Sequence, residues 1–471
     1  MKIPRILLAA GASGSGKTLI TCGILQAFVN RKKKVASFKC GPDYIDPMFH
    51  SRVIGTKSRN LDAFFTDSEV LCYLLSSNAA DCDIAVMEGV MGYYDGVAGT
   101  TTKASAYDLA LQTETPAVLI VNSRGMSVSL AAYIKGFLQY RPDSQIRGVI
   151  FNQMSPMLYP RMKKMVEEEL GISVFGYVPK VEDCVIESRH LGLVLPEEIP
   201  ELKERLMRLS EILEQTLDLN ALLALAETAP PLTSPSKARL QEKSAAFGFV
   251  LPEKVKIAVA KDEAFCFFYE DNFQLLQEMG AELVWFSPLH DQKLPKDVDG
   301  LLLYGGYPEL YGKALEQNHS MRTDIRTQLQ NGLPCMAECG GFMYLHEEME
   351  DISRNKCQMV GVIPGAVFKT DRLGRFGYIT LQQKMPVFGE AQLGAIPAHE
   401  FHYFDSENCG NAFTAQKPCS SRSWDCIHGN ENLLAGFPHL YYYGNPEVAK
   451  AFLLSCLRLK RDSRGILEVS K

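Results

Sequence analysis

An eight-residue motif near the start of the chain most constrains its fold. Residues 11–18 read Gly-Ala-Ser-Gly-Ser-Gly-Lys-Thr and match G-x-x-x-x-G-K-[ST] in full. The motif follows a strand-like apolar run, Ile3 to Ala10, and precedes a helical pattern that begins near Lys17. In this context it predicts a phosphate-binding loop, in which backbone N–H groups and a helix N-terminus surround the phosphates of a nucleotide.

Each part of this loop has an expected contact with ATP. Lys17 is predicted to reach the β- and γ-phosphates, and the Thr18 hydroxyl is predicted to bind Mg²⁺. The remaining contacts are expected from Gly11, Ser13, Gly14, Ser15 and Gly16. ATP is therefore the expected co-substrate and Mg²⁺ the expected cofactor.

Two strand-end residues are candidates for the same site. Glu88 closes the apolar run Ile84 to Met87 and is placed to supply a second carboxylate directed at magnesium, although a surface glutamate at a loop is the alternative. Asn152 ends the run Val149 to Asn152 and is a candidate for binding the adenine edge of ATP. Asparagines at strand ends often only make turns, so both readings of Asn152 stay open.

The chain is too long for one ordinary core. It has 471 residues, and single cores stop growing beyond roughly 250 to 300 residues. The first part alternates strand-like runs with amphipathic helical segments, which predicts a parallel sheet covered by helices on both faces. Strand-like runs also occur at Val35 to Cys40 and Ala117 to Asn122.

A proline-rich stretch without apolar periodicity, residues 228–254, is the predicted linker. It separates a first domain, residues 1–227, from a second, residues 255–471, in which a new alternation begins with strand Lys256 to Ala260. We therefore expect an α/β protein of two domains, each a mainly parallel sheet with helices on both faces.

The charge and hydropathy of the chain argue against nucleic acid and membranes as binding partners. The net charge of −6 creates no positive field for nucleic acid or an anionic membrane, and no apolar run approaches the roughly 20 residues that span a bilayer. The 13 cysteines include no CxxC pair, so we interpret most of them as reduced and buried. A cytoplasmic protein without nucleic-acid or membrane partners is expected.

Three segments carry a resemblance to a known family. Residues 39–50 read Lys-Cys-Gly-Pro-Asp-Tyr-Ile-Asp-Pro-Met-Phe-His, residues 60–62 read Asn-Leu-Asp, and residues 88–96 read Glu-Gly-Val-Met-Gly-Tyr-Tyr-Asp-Gly. Together they closely resemble the cobyrinate a,c-diamide synthases, and Ser188 to Leu193 also looks like a family segment. The resemblance implies a dethiobiotin-synthetase-like P-loop domain joined to a flavodoxin-like class I glutamine amidotransferase domain.

Acidic residues in the loops of the first domain are expected at its substrate site. Loops at the carboxyl ends of parallel strands bind ligands in such folds. By similarity, substrate positioning or metal binding is assigned to Asp43, Tyr44, Ile45, Asp46 and Asp95, and metal binding to Asp62. A single loop aspartate is more often a turn former, so the division between these roles stays open.

The second domain contains a candidate nucleophile. Residues 333–345 read as a short buried strand, a sharp turn and a helix, with Cys339 at the turn. The helix N-terminus is expected to lower the pKa of the Cys339 thiol and favour the thiolate. Gly305 and Gly306 follow another apolar strand and, with Gly340, are the expected backbone donors to an oxyanion.

The nucleophile also needs a base, and His439 matches the late histidine of these amidotransferases. Many of them carry a glutamate two residues later, where this chain has Tyr441, so the third member of the triad is open. His399 and His402 miss the H-E-x-x-H spacing, which favours a structural or substrate-facing role over zinc binding.

By resemblance, Cys339 releases ammonia from glutamine, and ATP activates the a and c acetates of a corrinoid as acyl phosphates. A related enzyme acting on another tetrapyrrole, such as nickel-sirohydrochlorin, is a close alternative. A regulatory P-loop ATPase of the septum-positioning type is a third, although such proteins usually carry lysine where this chain has Ala12. A homodimer is left open.

Overall fold

The computed structural model describes residues 1–181 and 201–463, together with residues 184, 188–189, 192–193 and 199. The chain divides into two compact units, Met1–Ser236 and Lys237–Lys471. The division falls within the predicted linker. In the segment Ser188 to Leu193, the residues His190 and Leu191 lie outside the described part of the chain.

The first unit is built on a parallel sheet. The strands of this sheet are β1 (Arg5–Ala10), β2 (Val35–Cys40), β3 (Lys57–Leu61), β4 (Ile84–Glu88), β5 (Ala117–Asn122), β6 (Ile146–Asn152) and β7 (Ser173–Val178). The two-residue strands β8 (Ser188–Arg189) and β9 (Gly192–Leu193) follow and form a separate antiparallel pair. The sheet order is β3-β2-β4-β1-β5-β6-β7, and every neighbouring pair is parallel. Parallel strands end at one edge, so the loops after β1, β2 and β4 adjoin each other.

Helices cover this sheet. They are α1 (Lys17–Asn30), α2 (Ile45–Met48), α3 (Ser68–Ala79), α4 (Ala106–Gln112), α5 (Ser129–Tyr140), α6 (Tyr159–Leu170), α7 (Leu202–Thr216) and α8 (Leu219–Glu227), with a π-helical turn at Phe49–Ile54. Strands β1, β2 and β4 are buried along their whole length, as expected for a parallel sheet covered on both faces. Helix α1 begins at Lys17 because Gly16 turns the chain with a φ of 84°.

The second unit contains more strands than the sequence predicted. They are β10 (Val255–Ala260), β11 (Phe265–Phe267), β12 (Ala281–Phe286), β13 (Gly300–Leu303), β14 (Gly305–Gly306), β15 (Cys335–Glu338), β16 (His346–Glu350), β17 (Lys356–Gln358), β18 (Ile363–Lys369), β19 (Arg375–Gln383), β20 (Ala395–His402), β21 (Phe404–Ser406), β22 (Phe413–Gln416), β23 (Ser423–Cys426), β24 (His428–Gly429), β25 (Leu433–Gly436) and β26 (His439–Leu440). Its helices are α9 (Lys237–Lys243), α10 (Glu270–Glu278), α11 (Gly312–Gln317), α12 (His319–Gln330), α13 (Gly340–Tyr344) and α14 (Pro446–Ser463).

The main sheet of this unit has the order β12-β10-β13-β15-β25-β24 and is parallel except at β24. It confirms the predicted α/β class. An additional antiparallel sheet, β23-β22-β19-β20-β26, carries His399, His402 and His439. Strand β26 pairs His439 with His399 of β20, so residues far apart in sequence become neighbours.

No helix in residues 1–181 or 201–463 is both long and apolar enough to cross a membrane.

Candidate functional site

The phosphate loop of the first unit contacts the end of β4. The Lys17 ammonium donates to the carbonyl oxygens of Met91 at 2.6 Å and Ala12 at 3.3 Å. The Thr18 hydroxyl donates to Oε1 of Glu88 at 2.6 Å. The Thr18 contact places the residue predicted to bind magnesium beside the predicted carboxylate, and the Lys17 contact reaches Met91, three residues after that carboxylate.

A buried ionic cluster extends from Glu88 to β2. The Lys39 ammonium lies 2.9 Å from Glu88 Oε1 and also pairs with Asp46. His50 Nε2 lies 3.1 Å from the other oxygen of Glu88, and the Thr18 hydroxyl also donates to Asp46 at 3.3 Å. The cluster can be stable in the protein interior, because each buried charge has an opposite charge or a hydrogen bond next to it.

The sequence interpretation gave no role to Lys39 or His50, although both stand in the family-like segment. Lys39 and Glu88 are direct register partners on the neighbouring strands β2 and β4. That adjacency depends on strand order, which the sequence does not state. A lysine next to the end of a fully buried strand is the signal that could have identified Lys39.

The electrostatics of this cluster follow from burial and pairing. Burial alone would raise the pKa of Glu88, but the Lys39 charge and hydrogen bonds from His50 and Thr18 hold it well below its usual range. Burial would lower the pKa of Lys39, yet the surrounding carboxylates Asp46, Glu88 and Asp43 raise it. Burial, reinforced by the Lys39 charge, lowers the pKa of Lys17 to about 8.

The donors around Thr18 fit a magnesium ion. Mg²⁺ prefers hard oxygen ligands, and the Thr18 hydroxyl lies within hydrogen-bonding distance of both the Glu88 and Asp46 carboxylates. Among the described residues, no three histidine, cysteine, aspartate or glutamate side chains are grouped to hold a metal by themselves. A magnesium ion here would therefore take its other ligands from water and nucleotide phosphates.

The residues assigned to substrate lie in the loops after β2 and β4. Asp43 Oδ1 accepts the N–H groups of Ile45 and Asp46 at 2.7 and 3.2 Å. These hydrogen bonds satisfy the first N–H groups of helix α2, which begins at Ile45, directly after Tyr44. Asp95 is exposed and accepts the Gly92 N–H at 3.0 Å. The substrate roles of these residues stay predictions.

Asp62 and Asn152 make contacts that differ from their predicted roles. Asp62 Oδ1 accepts the Phe64 N–H at 2.7 Å, which is the contact of a turn former. The Asn152 amide donates to the Ser15 carbonyl at 2.8 Å and so holds the phosphate loop. Metal binding by Asp62 and adenine binding by Asn152 therefore stay predictions.

In the second unit, Cys339 lies at a strained turn between β15 and α13. Its φ of 47° and ψ of −104° are unusual for a residue other than glycine and cost roughly 1–3 kcal/mol. The Cys339 N–H donates to the Gly436 carbonyl at the end of β25, at 2.8 Å. The sharp strand-to-helix turn predicted for the nucleophile is present.

The predicted oxyanion glycines and the predicted base surround this cysteine. A methyl group placed on Gly305 would overlap Cε1 of His439 and contact Cβ of Cys339. One on Gly340 would meet the Gly306 nitrogen at 3.1 Å. The five residues predicted from the sequence thus come together, while oxyanion binding itself stays a prediction.

The expected lowering of the Cys339 pKa is wrong for the resting protein. Burial, with a smaller effect of Glu309, raises the pKa of this thiol, and helix α13 has only five residues to oppose it. Burial, together with His402, lowers the pKa of His439 to about 3. Thiol and imidazole are therefore both neutral at rest.

Glu338 was not identified from the sequence as a functional residue. It directly precedes Cys339, is buried, and places Oε2 3.8 Å from Nδ1 of His439. Tyr441, at the position of the usual acid, donates its hydroxyl to Asp271 at 2.9 Å. A carboxylate next to the nucleophile is the sequence signal that could have suggested Glu338.

His399 and His402 lie on β20 against the same site. His402 stacks on Phe437 with ring centroids 3.9 Å apart, and its Nε2 is 3.8 Å from Glu400 Oε2. Glu400 is fully buried, and its oxygens have no hydrogen-bond partner among the described residues. His399 is also the register partner of His439, so strand β20 lies beside the predicted base.

Comparisons with known proteins cover both units. Residues 6–193 match the CobQ/CobB/MinD/ParA nucleotide binding domain, and residues 256–446 match the CobB/CobQ-like glutamine amidotransferase domain. The chain is 38% identical over 456 residues to the cobyrinate a,c-diamide synthase of Caldanaerobacter subterraneus subsp. tengcongensis, covering 96% of this chain and 98% of that relative. It is 35% identical over 467 residues to the same enzyme of Priestia megaterium, covering 98% of each chain.

Proposed function

The chain belongs to the cobyrinate a,c-diamide synthase family, and from that premise we propose that it converts the a and c acetates of cobyrinate to amides. Glutamine supplies the nitrogen, and ATP activates each carboxylate. The observation that carries the proposal is the strained Cys339 turn beside His439, in a chain that also places Thr18 2.6 Å from Glu88.

In the first unit, ATP removes the chemical obstacle to amidation. A carboxylate oxygen is a poor leaving group, so the substrate oxygen attacks the γ-phosphorus and ADP leaves, giving an acyl phosphate. Lys17 offsets the charge on the transferring phosphoryl group. Thr18, Glu88 and Asp46 would hold Mg²⁺, which supplies further charge neutralisation when bound.

In the second unit, Cys339 attacks the γ-carbonyl of glutamine. The thiol proton passes to His439, which then gives it to the departing ammonia. Water hydrolyses the resulting thioester and releases glutamate. Ammonia attacks the acyl phosphate, and phosphate leaves with formation of the amide.

Glu338 completes the proposed base. When the neutral imidazole of His439 takes the thiol proton, a positive charge forms in a buried site. The Glu338 carboxyl group lies 3.8 Å from Nδ1, beyond hydrogen-bonding distance, and in its ionised form it would stabilise that charge electrostatically. Glu338 would then serve as the acid of the proposed triad, because Tyr441 has no carboxyl group.

The test is incubation with ATP, Mg²⁺ and glutamine against cobyrinate and nickel-sirohydrochlorin separately, with mass spectrometry of the products. We expect the diamide from cobyrinate, with one glutamate released for each amide formed. Cys339→Ala should lose glutamine-dependent amidation and keep amidation with ammonium salts. Absence of a cobyrinate diamide would refute the proposed substrate, and full glutaminase activity in Cys339→Ala would refute the proposed nucleophile.

A further inference from the structure

An open cleft of about 620 Å³ lies in the first unit beside the phosphate loop. Gly11, the first residue of the loop, and Asp95, from the loop after β4, form one side of it. Helix α5 and Arg141, directly after it, form the other. Neither helix α5 nor Arg141 takes part in the proposed reaction steps.

Aromatic rings form a continuous wall in this cleft. Tyr94 stacks on Phe137 with centroids 5.7 Å apart and meets Tyr140 at 4.9 Å, while Tyr133 meets Phe137 at 5.0 Å. Tyr140 is 59% exposed. Tyr94, Tyr133 and Phe137 are half-buried. Aromatic side chains in a concave site with a few polar groups are typical of a small-molecule site.

The cleft opens beside the end of the loop where phosphoryl transfer is expected. The carbonyl of Met91, which Lys17 contacts at 2.6 Å, belongs to the same loop as the cleft residue Asp95. Asn152 instead contacts Ser15, near the helical end of the phosphate loop. The predicted adenine position and the aromatic cleft thus adjoin different parts of the loop.

We propose that this cleft binds the tetrapyrrole macrocycle of the acceptor, with the conjugated ring system against the aromatic wall and a peripheral carboxylate on Arg141. The inference rests on the proposed function. Tyr94 and Phe137 are stacked and the other two ring pairs are edge-on or tilted, so the wall offers both ring faces and ring edges to a conjugated ligand. The Arg141 guanidinium, 4.9 Å over the Tyr140 ring, presents paired donors that suit a carboxylate.

Substitutions of exposed cleft residues test this site without disturbing the core. Tyr140→Ala should raise the Kd and KM for cobyrinic acid by about tenfold, the loss expected for one stacking partner. Tyr140→Phe, which keeps the aromatic ring, should raise both values much less than Tyr140→Ala does. Arg141→Gln should raise the KM more than it changes kcat. Met157→Ala, which removes an 88% exposed side chain elsewhere in the unit, is the matched control.

Binding of cobyrinic acid is followed by corrin absorbance without ATP, and turnover by diamide formation. If the wild type makes the diamide and both Tyr140→Ala and Arg141→Gln keep the corrinoid KM within twofold, the cleft assignment fails while the proposed function stands. If Tyr140→Ala instead weakens binding of a non-hydrolysable ATP analogue, the cleft is a nucleotide site and the inference is overturned. A wild type that makes no cobyrinate diamide refutes the proposed function, and the inference with it.

Discussion

Oε2 of Glu338 lies 3.8 Å from Nδ1 of His439, and both residues are only 2% exposed. The same glutamate oxygen accepts the Leu440 N–H at 3.3 Å. Burial raises the pKa of Glu338 well above its usual range, because the loss of solvent outweighs this one hydrogen bond. Formation of the His439 imidazolium during catalysis would place a cation beside the carboxyl group.

We expect Glu338→Gln to lower kcat for glutamine hydrolysis by about 10- to 100-fold, because the amide cannot supply the negative charge that would stabilise the His439 imidazolium, an effect of about 1.4 to 2.7 kcal/mol. Glu338→Asp should recover part of the loss, and amidation with ammonium salts should be unchanged. Tyr441→Phe is the control and should stay near wild type. Steady-state glutamate release measures all three, and a larger loss in Tyr441→Phe than in Glu338→Gln would contradict the assignment.

Glu309 offers a test of the electrostatics around the nucleophile. Burial raises the pKa of its carboxyl group to about 7, and the charged form raises the pKa of the Cys339 thiol. At pH 8 the carboxylate is ionised, so Glu309→Gln should lower the Cys339 pKa and speed alkylation of this thiol by iodoacetamide about 3- to 10-fold. At pH 6 the two proteins should react alike. Peptide mass spectrometry separates Cys339 from the exposed Cys419, and an equal effect at both pH values would count against this explanation.

Nucleotide binding should weaken at alkaline pH. The pKa of Lys17 is lowered to about 8, so its positive charge is present below that pH and lost above it. The Kd of a non-hydrolysable ATP analogue should therefore rise above pH 8, by at most about tenfold per pH unit. Lys17→Arg keeps its charge throughout and should show a flatter profile. Equal slopes for the two proteins between pH 6 and 9.5 would assign the effect to another group.

Lys39 is expected to be essential for the stability of the first unit. Lys39→Met leaves the buried carboxylates of Asp46 and Glu88 without their countercharge, which should destabilise the unit by about 3–5 kcal/mol. Hydrogen exchange of peptides from β2 and β4 measures the loss. The loss should shrink at acidic pH, where the carboxylates can protonate, and in the double variant with Glu88→Gln. Unchanged protection in Lys39→Met would show that the pair contributes no net stability.

Substitution of Gly341 is expected to reduce glutamine hydrolysis and to spare amidation with ammonium salts. A methyl group at this position would overlap the Leu303 carbonyl oxygen, so Gly341→Ala should displace the Cys339 turn. We expect at least about a 100-fold loss of glutaminase activity, because a displacement of about 1 Å can have that effect. Amidation with ammonium salts should persist. Gly374→Ala, where a methyl group meets nothing within 4 Å, is the matched control. Loss of both activities in Gly341→Ala alone would indicate general misfolding.

Local patterns predicted the elements that bear the chemistry. The strands Val35–Cys40 and Ala117–Asn122 have the predicted bounds, and α1 begins at the predicted lysine. The turn at Cys339 was also readable, because a short apolar strand followed by two glycines allows few other arrangements. These features depend on neighbours in sequence.

Features that depend on contacts between residues far apart in sequence could not be predicted from local patterns. Lys39 meets Glu88 only because β2 and β4 are adjacent, and Glu338 meets His439 only because β26 lies beside the turn. The direction of the Cys339 pKa shift was predicted wrongly because the local pattern indicates a helix start but not the depth of burial. The aromatic cleft joins residues from three loops and a helix, so no single motif predicts it.

The positive φ of Cys339 belongs to a backbone region that favours glycine, so a cysteine at this position carries a cost in stability. Replacement of Cys339 by glycine would relieve that strain while removing the proposed nucleophile. Stability and the proposed glutaminase activity therefore make opposite demands on the side chain at this position.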